Sequence, residues 1–498
     1  MSSRVAKLKL NTFTSLALQL TSLVCGFILP RLILSSFGSE VNGLVNSIAQ
    51  FLGFISLLDL GVGAVVQSSL YKPLANKNID EISKIYKSAD KFFKRLAYIL
   101  VAYVVVLLIV YPTIIKHDFS YIYVVSLISA ISISLFAQYY FGIVNSILLS
   151  ADQKGYIQYT AQIITLILNT MTCALLIRIG CSIQIVKLTT SIIYIARPLY
   201  LSWYVKKNYH INKRITYLDE PIKQKWSGMA QHFAAYIILG TDNVILTLFS
   251  TLSNVSIYSV YHLIISGINN IFYSITNGFQ SILGDMIAKK EVQKLKDFFS
   301  LMEWGFHTGI TIMFGCTGML ILQFVQVYTK GINDANYYQP VFALLISLAY
   351  ASHCMRLPYH ILIKAAGHYK ETQYTYIIST ALNIFISIST VKIFGLIGVS
   401  IGTLVAMIYQ TVSMAWYNSK NIIQLSFGIF AKQCVVDIVI AIVSYFLAFQ
   451  IPFYSITYGS WCIKAVLTLA CWICSSFVIN FLLCKDKINV LTERILRK

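Results

Sequence analysis

Long apolar runs, separated by short polar stretches, follow one another along the whole chain. Fourteen of them contain about 20 or more mostly apolar residues, which is the length that a helix needs to cross the hydrocarbon core of a bilayer. They lie at 11–36, 42–71, 96–115, 119–149, 156–179, 182–205, 226–249, 255–283, 300–326, 337–363, 372–391, 393–417, 432–451 and 460–483. The pattern predicts an all-α polytopic membrane protein of about 14 transmembrane helices.

Composition supports this class. Of the 498 residues, 57% are hydrophobic and 12% are charged, whereas about 25% are charged in a typical water-soluble domain. A water-soluble globule is therefore excluded.

The basic residues predict the orientation of the chain. By position, 30 of the 39 Lys and Arg residues lie at the termini or in the loops that follow even-numbered helices. Basic loops stay in the cytoplasm, so both termini are expected on the cytoplasmic side of a multi-pass protein. The first apolar run has no small-x-small cleavage sequence after it and is interpreted as an uncleaved helix. The net charge of +20 then fits a collar that meets anionic lipid headgroups better than a nucleic-acid site.

An internal repeat divides the chain. Shifting the sequence by 213 to 215 positions aligns the segment 74–79 with 287–292, the segment 158–160 with 373–375, and Gly180 with Gly395. The shift covers six helices, an even number, so the two copies are expected to be parallel and related by a pseudo-twofold axis along the membrane normal. The predicted parts are an N-lobe (1–205), a basic cytoplasmic linker (206–225), a C-lobe (226–417), and two extra helices with a basic cytoplasmic tail (418–498).

Two small-xxx-small patterns predict close helix contacts inside the second copy. They are Gly305-x-x-x-Gly309 and Gly398-x-x-x-Gly402, in which small residues let two backbones approach. Either pattern could also be ordinary packing.

Four basic residues fall inside the predicted spans, and they are the first candidates for a substrate site. Charges at this depth are costly and face protein or water. Arg31, Arg197 and Arg356 each lie within two positions of a proline, and Lys187 is the fourth. Prolines at such depth are tolerated next to a wet cavity, which predicts a cationic chamber for an anionic passenger such as a pyrophosphate. The alternative is that these side chains reach toward an interface and the prolines are incidental.

Buried acids and histidines supply further candidates. Asp59 and Asp242 could pair with the arginines, bind a coupling cation, or simply hold neighbouring helices together. Among the histidines, which are more often packing residues, His262 and His353 are the better functional candidates. We expect no metal or cofactor, because Cys471-x-x-Cys474 has no second pair and no nearby His. The chain also has no nucleotide-binding motif and no long loop that could hold an active site, so we do not expect an enzyme.

Several segments resemble a known family. Phe27-Ile28-Leu29-Pro30-Arg31, Leu57-Leu58-Asp59-Leu60-Gly61 and Thr241-Asp242-Asn243 resemble the Wzx-type polysaccharide-biosynthesis flippases of bacteria. These belong to the superfamily of multidrug/oligosaccharidyl-lipid/polysaccharide exporters, together with multidrug and toxin extrusion proteins and lipid II flippases. The resemblance extends over the whole chain in length, helix number and repeat.

The resemblance implies a fold, a cargo and a location. It implies a V-shaped, alternating-access transporter in the bacterial cytoplasmic (inner) membrane. Its passenger would be an undecaprenyl-pyrophosphate-linked glycan, and polymerase and chain-length proteins would be further partners. It also places Arg31 where relatives have functional basic residues.

Two alternatives stay open. A cation-coupled multidrug exporter would share the fold, although its relatives usually have an acid in helix 1, where this chain has Arg31. A membrane-bound polysaccharide polymerase or glycosyltransferase would need a larger loop than the sequence offers.

Overall fold

The computed structural model describes residues 2–59, 61–115, 119–212, 214–217, 219–222 and 229–489. Parts of the predicted linker (213, 218 and 223–225) and the end of the predicted tail (490–498) lie outside the described residues. The chain divides into two compact units, Met1–Tyr236 and Ile237–Lys498. Its described residues form α-helices joined by short turns.

The first unit contains seven α-helices and two short irregular helices among its described residues, and α8 begins near its end. The α-helices are α1 (Ser2–Gly53), α2 (Val62–Ala75), α3 (Ile79–Ile114), α4 (Tyr121–Ala137), α5 (Ile143–Ala151), α6 (Gly155–Arg178) and α7 (Ile183–Asn208). A 3₁₀ helix, Phe54–Leu58, follows α1, and a π-helical segment, Gln138–Gly142, joins α4 to α5.

The second unit contains the other helices of the described chain, and α8 crosses the boundary between the units. These helices are α8 (Met229–Phe249), α9 (Leu252–Ala288), α10 (Val292–Tyr328), α11 (Pro340–Met355), α12 (Leu357–Ala366), α13 (Tyr369–Phe394), α14 (Leu396–Asn421), α15 (Phe427–Phe449) and α16 (Tyr458–Leu483).

These helices confirm the predicted fold class. Within the described residues, each of the 14 apolar runs falls mainly on one helix or on consecutive helices. Eleven helices of the described chain are long and apolar enough to cross a membrane, and one of these, the 50-residue span Lys9–Leu58, runs through two predicted spans. The protein is an all-α polytopic membrane protein. The orientation of its termini stays a prediction.

The pattern of apolar runs did not predict where the helices are interrupted. The backbone of α1 breaks at Gly38 (φ 85°, ψ 174°), a conformation open almost only to glycine, and this break separates the first two predicted spans. The second span is interrupted again at Asp59 and Gly61, and the tenth at Arg356, just before Pro358. By contrast, Pro30 and Pro198 lie inside continuous helices.

Three backbone turns recur at matching positions in the two units. Residues with positive φ occur at matching positions, separated by 213, 214 and 215 residues: Lys77 and Lys290, Gln153 and Gly367, Gly180 and Gly395. The first and third pairs belong to the segments that the sequence shift aligns. The local backbone thus supports the internal repeat, while the boundaries of the lobes, linker and appendix stay predictions.

Only one of the two small-xxx-small patterns is a close helix contact. A Cβ added at Gly402 would lie 2.9 Å from the Asn383 carbonyl oxygen, and one at Gly398 would lie 2.6 Å from the Thr390 carbonyl oxygen. The backbones of α13 and α14 therefore touch along this glycine pair. A Cβ at Gly305 would meet no atom within 4 Å.

This difference predicts the effect of adding one methyl group. We expect Gly402→Ala to destabilise the protein by about 1–3 kcal/mol, because the backbone of α13 would have to move away. Gly305→Ala, the matched control, should leave stability unchanged or slightly raise it, since alanine is the better helix former. Thermal unfolding in detergent measures both. Equal midpoints for the two variants would contradict the contact.

Candidate functional site

Arg197 lines a cavity in the first unit. The cavity has a volume of about 450 Å³ and is bounded by α1, α4, α6 and α7, with Gln138, Gln162 and Tyr194 among its polar lining residues. The Arg197 guanidinium donates a hydrogen bond from Nη2 to Oε1 of Gln138 over 3.0 Å. A positive charge therefore stands at a cavity that has several polar lining residues, within a predicted membrane span.

The π-helical segment positions the partner of Arg197. Gln138 is its first residue and Gly142 its last. A Cβ on Gly142 would lie 3.0 Å from Cβ of Pro198 and 2.9 Å from Oε1 of Gln138. Glycine at this position lets α7 approach closely enough for Arg197 to reach Gln138.

The other candidates in the first unit lie elsewhere. Lys187 is half-buried on α7 near the Cys173 thiol, and Arg31 is half-buried on α1. Asp59 lies in the break before α2, where its carbonyl accepts a hydrogen bond from the Val62 amide over 2.8 Å. In the described chain, Arg197 is the only predicted site residue among those lining the cavity.

Asp242 is the centre of a polar cluster in the second unit. Its side chain is only 2% exposed. The Thr403 hydroxyl lies 2.9 Å from Oδ1 and 2.8 Å from Oδ2, and the Tyr258 hydroxyl donates to Oδ2 over 3.0 Å. Asn383 in turn donates from Nδ2 to the Thr403 hydroxyl over 3.0 Å. Four helices, α8, α9, α13 and α14, thus meet at one carboxylate.

This cluster offers oxygen ligands to a cation. Besides the carboxylate and the Thr403 hydroxyl, Oδ1 of Asn383 is buried and makes no hydrogen bond within the described chain. Carboxylate, hydroxyl and amide oxygens suit hard cations. The same contacts also join four helices, so the structural role of Asp242 stands beside the ion-binding role. Among the described residues, no group of three His, Cys, Asp or Glu side chains could hold a metal ion.

A string of aromatic and polar side chains connects Asp242 to Arg356. The Tyr258 ring stacks on His262 with centroids 5.5 Å apart, and Nε2 of His262 lies 2.9 Å from the Tyr350 hydroxyl. The Tyr350 ring is next to that of His353, with centroids 6.0 Å apart. Four of the predicted residues, Asp242, His262, His353 and Arg356, therefore belong to one continuous string.

Arg356 is buried among neutral partners. It is 4% exposed, and its Nη2 donates to the Tyr273 hydroxyl over 3.1 Å and lies 3.4 Å from Nε2 of His353. Its guanidinium carbon is 6.0 Å from the centroid of the Tyr376 ring. Within the described chain it forms no ion pair, and its Nε makes no hydrogen bond.

In this structure, neither Asp59 nor Asp242 forms an ion pair with an arginine in the described chain, and pairing between transport states stays a prediction. Asp242 has Tyr258 and Thr403 as hydrogen-bond donors, and the ion pairs found in the described chain include neither Asp59 nor Asp242. The two acids are held by backbone and hydroxyl groups instead.

The site predicted from charged residues did not include the neutral residues that contact them. Tyr258, Tyr273, Tyr350, Asn383 and Thr403 hold the charged groups in place. A usable signal was helical spacing, because Tyr258 lies one turn before His262 and Tyr350 one turn before His353.

Comparison with known proteins identifies the fold. No protein-family model matches the chain, and no curated protein matches it in sequence. Among solved structures, the lipid II flippase MurJ in an inward closed conformation is similar with a TM-score of 0.68 and 13% identity, over 96% of this chain and 99% of that one.

Multidrug transporters of the MATE family are similar as well. An inward-facing MATE transporter of the MOP superfamily has a TM-score of 0.60 and 14% identity, over 82% of this chain and 99% of that one. A eukaryotic MATE transporter has a TM-score of 0.56 and 10% identity, over 86% and 99%. The protein is thus a multi-pass integral membrane protein with the fold of the MOP-superfamily transporters.

Proposed function

We propose that the protein is a flippase for an undecaprenyl-pyrophosphate-linked oligosaccharide. It moves this lipid-linked glycan across the bacterial cytoplasmic membrane, from the inner to the outer leaflet, for surface polysaccharide assembly. The fold likeness to a lipid II flippase supports this proposal, because a lipid-linked passenger would then be common to both proteins. The resemblance of segments around Arg31, Asp59 and Asp242 to Wzx-type flippases points the same way.

The observation that carries the proposal is the environment of Arg356. A buried guanidinium without an acid partner is costly in a low-dielectric environment. Its neighbours Tyr273 and His353 are neutral hydrogen-bonding groups, which leave the positive charge uncompensated. An anionic headgroup would provide that compensation, and guanidinium groups bind phosphate oxygens bidentately. Arg356 is therefore proposed to bind the pyrophosphate.

Arg197 is proposed as a second binding residue. It stands at a cavity of about 450 Å³ whose lining includes the side-chain amides of Gln138 and Gln162. Amides and hydroxyls of this kind suit the hydrogen-bonding groups of sugars. Arg31, Lys187 and His262 stay separate candidates for substrate binding.

Asp242 is proposed to bind a coupling cation. Its carboxylate, the Thr403 hydroxyl and the Asn383 side chain come from three different helices. Occupation by a monovalent cation such as Na⁺ would neutralise the carboxylate and tighten the contact between α8, α13 and α14. Asp59 stays a candidate for gating.

A cation-coupled multidrug exporter is the second candidate function. The MATE structures favour it, since they share the fold over more than four fifths of this chain. Such an exporter would raise resistance to cationic compounds when overproduced. The buried positive charge of the Arg356 side chain favours an anionic passenger instead.

Replacing the buried arginines tests the passenger. We expect Arg356→Ala and Arg197→Ala each to reduce surface polysaccharide at least tenfold in a strain that depends on this protein, with normal protein levels in the membrane. Lys207→Ala, which removes an equally basic group at the end of α7, should retain full display. Arg356→Lys should retain part of it, because one positive charge remains without the bidentate fork.

Two outcomes would overturn the cationic site. Full display by an Arg197/Arg356 double alanine variant would contradict an anion-binding role. Resistance to cationic drugs in cells that overproduce the wild type, without any effect on polysaccharide, would favour the exporter.

Cation binding at Asp242 has a test that does not require transport. Sodium chloride should raise the thermal unfolding midpoint of the purified wild type above that in choline chloride at equal ionic strength, because a ligand that binds only the folded state stabilises it. Asp242→Asn retains an oxygen that accepts from Thr403 and Tyr258 but lacks the negative charge, and should lose the difference. Asp285→Asn, at an exposed ion pair with Lys289, is the matched control and should keep it. An equal sodium effect in all three proteins would contradict the site.

A further inference from the structure

A row of four buried polar residues lies in the Ile237–Lys498 unit, separate from the Asp242 cluster. Glu303 and His307 come from α10, Tyr359 from α12 and Asp437 from α15. None of the four side chains belongs to a residue more than 5% exposed. All four residues fall inside predicted membrane spans, at 300–326, 337–363 and 432–451.

Three hydrogen bonds join the four residues in a row. The Tyr359 hydroxyl is 2.5 Å from Oε1 of Glu303. Its oxygen is also 3.2 Å from Nε2 of His307. On the other side of the imidazole, Nδ1 of His307 is 2.6 Å from Oδ2 of Asp437. The order along the row is therefore acid, phenol, imidazole, acid.

The three hydrogen bonds of the row need one more proton than neutral Tyr359, neutral His307 and two ionised carboxyl groups provide. Three hydrogen bonds need three protons. The Tyr359 hydroxyl contributes one and a neutral His307 ring contributes another. If both carboxyl groups were ionised, the third proton would be missing and two lone pairs would face each other at one contact. The third proton must therefore be bound to the row.

The extra proton has more than one place along the row. When Tyr359 donates to Glu303 and Nε2 of His307 donates to Tyr359, the proton lies between Nδ1 and Asp437. When Glu303 carries the proton, it donates to Tyr359, Tyr359 donates to Nε2, and Nδ1 donates to Asp437. Both arrangements satisfy the same three contacts, so a concerted shift of three protons moves the charge from one acid to the other.

The two ends of the row meet different cavities. Glu303 and Tyr359 line a small cavity of about 20 Å³ next to the turn after α14, which exceeds the 10–15 Å³ or so that one water needs. Asp437 lines a largely apolar cavity of about 360 Å³ between α10, α11, α15 and α16, opposite Phe314 and Trp472. Each acid therefore borders a cavity of its own, and the one at Glu303 is large enough for a single water.

We propose that Glu303, Tyr359, His307 and Asp437 form a buried proton-binding site that holds one exchangeable proton. Release of this proton breaks one of the three hydrogen bonds and so loosens α10 from α12 or from α15. The proposal goes beyond the transport function and does not depend on which cargo is carried. It makes the proton a second ion, after the cation at Asp242, that can bias the arrangement of helices in this unit.

Other titratable groups surround the row. Oδ1 of Asp437 accepts a hydrogen bond from Nε2 of Gln433 over 3.2 Å, which fixes the carboxyl group without supplying a charge. Within the described residues, the charged or titratable groups near the row include Lys487, which bonds to Ser300, and the thiols of Cys434 and Cys484.

Two amide substitutions lock the row in opposite directions. In Asp437→Asn, the amide donates to Nδ1, Nε2 donates to Tyr359, and Tyr359 donates to Glu303. In Glu303→Gln, the amide donates to Tyr359, Tyr359 donates to Nε2, and Nδ1 donates to Asp437. Either variant completes all three hydrogen bonds without the extra proton, so each is expected to fold and to lose proton exchange.

The pH dependence of unfolding measures the extra proton. The folded wild type binds one proton that the unfolded chain has lost above about pH 7, where free imidazole and carboxyl groups are deprotonated. Stability should therefore fall as pH rises, by about a tenfold change in the unfolding equilibrium constant per pH unit, until the folded protein releases the proton. Reversible unfolding of the full chain in mixed micelles between about pH 7 and about pH 9 provides the slope.

The comparison of slopes decides the proposal. Asp437→Asn and Glu303→Gln should each have a slope lower by one proton than the wild type. Asp285→Asn, an exposed carboxyl group outside the row, should keep the wild-type slope. Wild-type slopes in both amide variants would overturn the proposal. A reduced slope in only one variant would also overturn it, because the proton would then belong to one acid and would not be shared.

Discussion

The cost of placing charge in an apolar medium governs this protein. Inside a bilayer no water is at hand, so each ionised side chain must face protein partners, a wet cavity or a ligand. The Asp242 carboxylate accepts hydrogen bonds from hydroxyl groups on two helices. Glu303 is hydrogen-bonded to the phenol of Tyr359, and Asp437 to the imidazole of His307. Arg356 differs from these acids, because its neighbours are neutral and its charge stays uncompensated. That difference is the reason to assign it a ligand.

Irregular helix geometry is what brings these charges to their partners. The π-helical segment sets Gln138 against Arg197, and the interruption before Pro358 places Arg356 between α11 and α12. Close contact of α13 with α14 at Gly402 brings Asn383 and Thr403 together under Asp242.

The sequence predicted the fold far better than the site, for a physical reason. A transmembrane helix corresponds to about 20 consecutive apolar residues, which are visible in the sequence itself. The 14 runs therefore coincide with observed helices, and the repeat reappears in turns such as those at Lys77 and Lys290. Contacts between helices depend on side chains distant in the chain. Arg356 and Asp242 were selected as costly charges, but their connection through Tyr258, His262 and Tyr350 requires the packing of α8, α9 and α11. The prediction of a close helix contact at Gly305 was wrong, because a small residue allows two helix backbones to approach but does not make them do so.

We propose that an anionic lipid-linked glycan is the passenger. Deleting the gene in its native host and extracting the membrane lipids tests this claim most directly. Loss of the flippase should cause an undecaprenyl-pyrophosphate-linked oligosaccharide to accumulate on the cytoplasmic side, and supplying the intact gene should remove it. Normal lipid-linked sugars and normal surface polysaccharide in the deletion strain would contradict the claim.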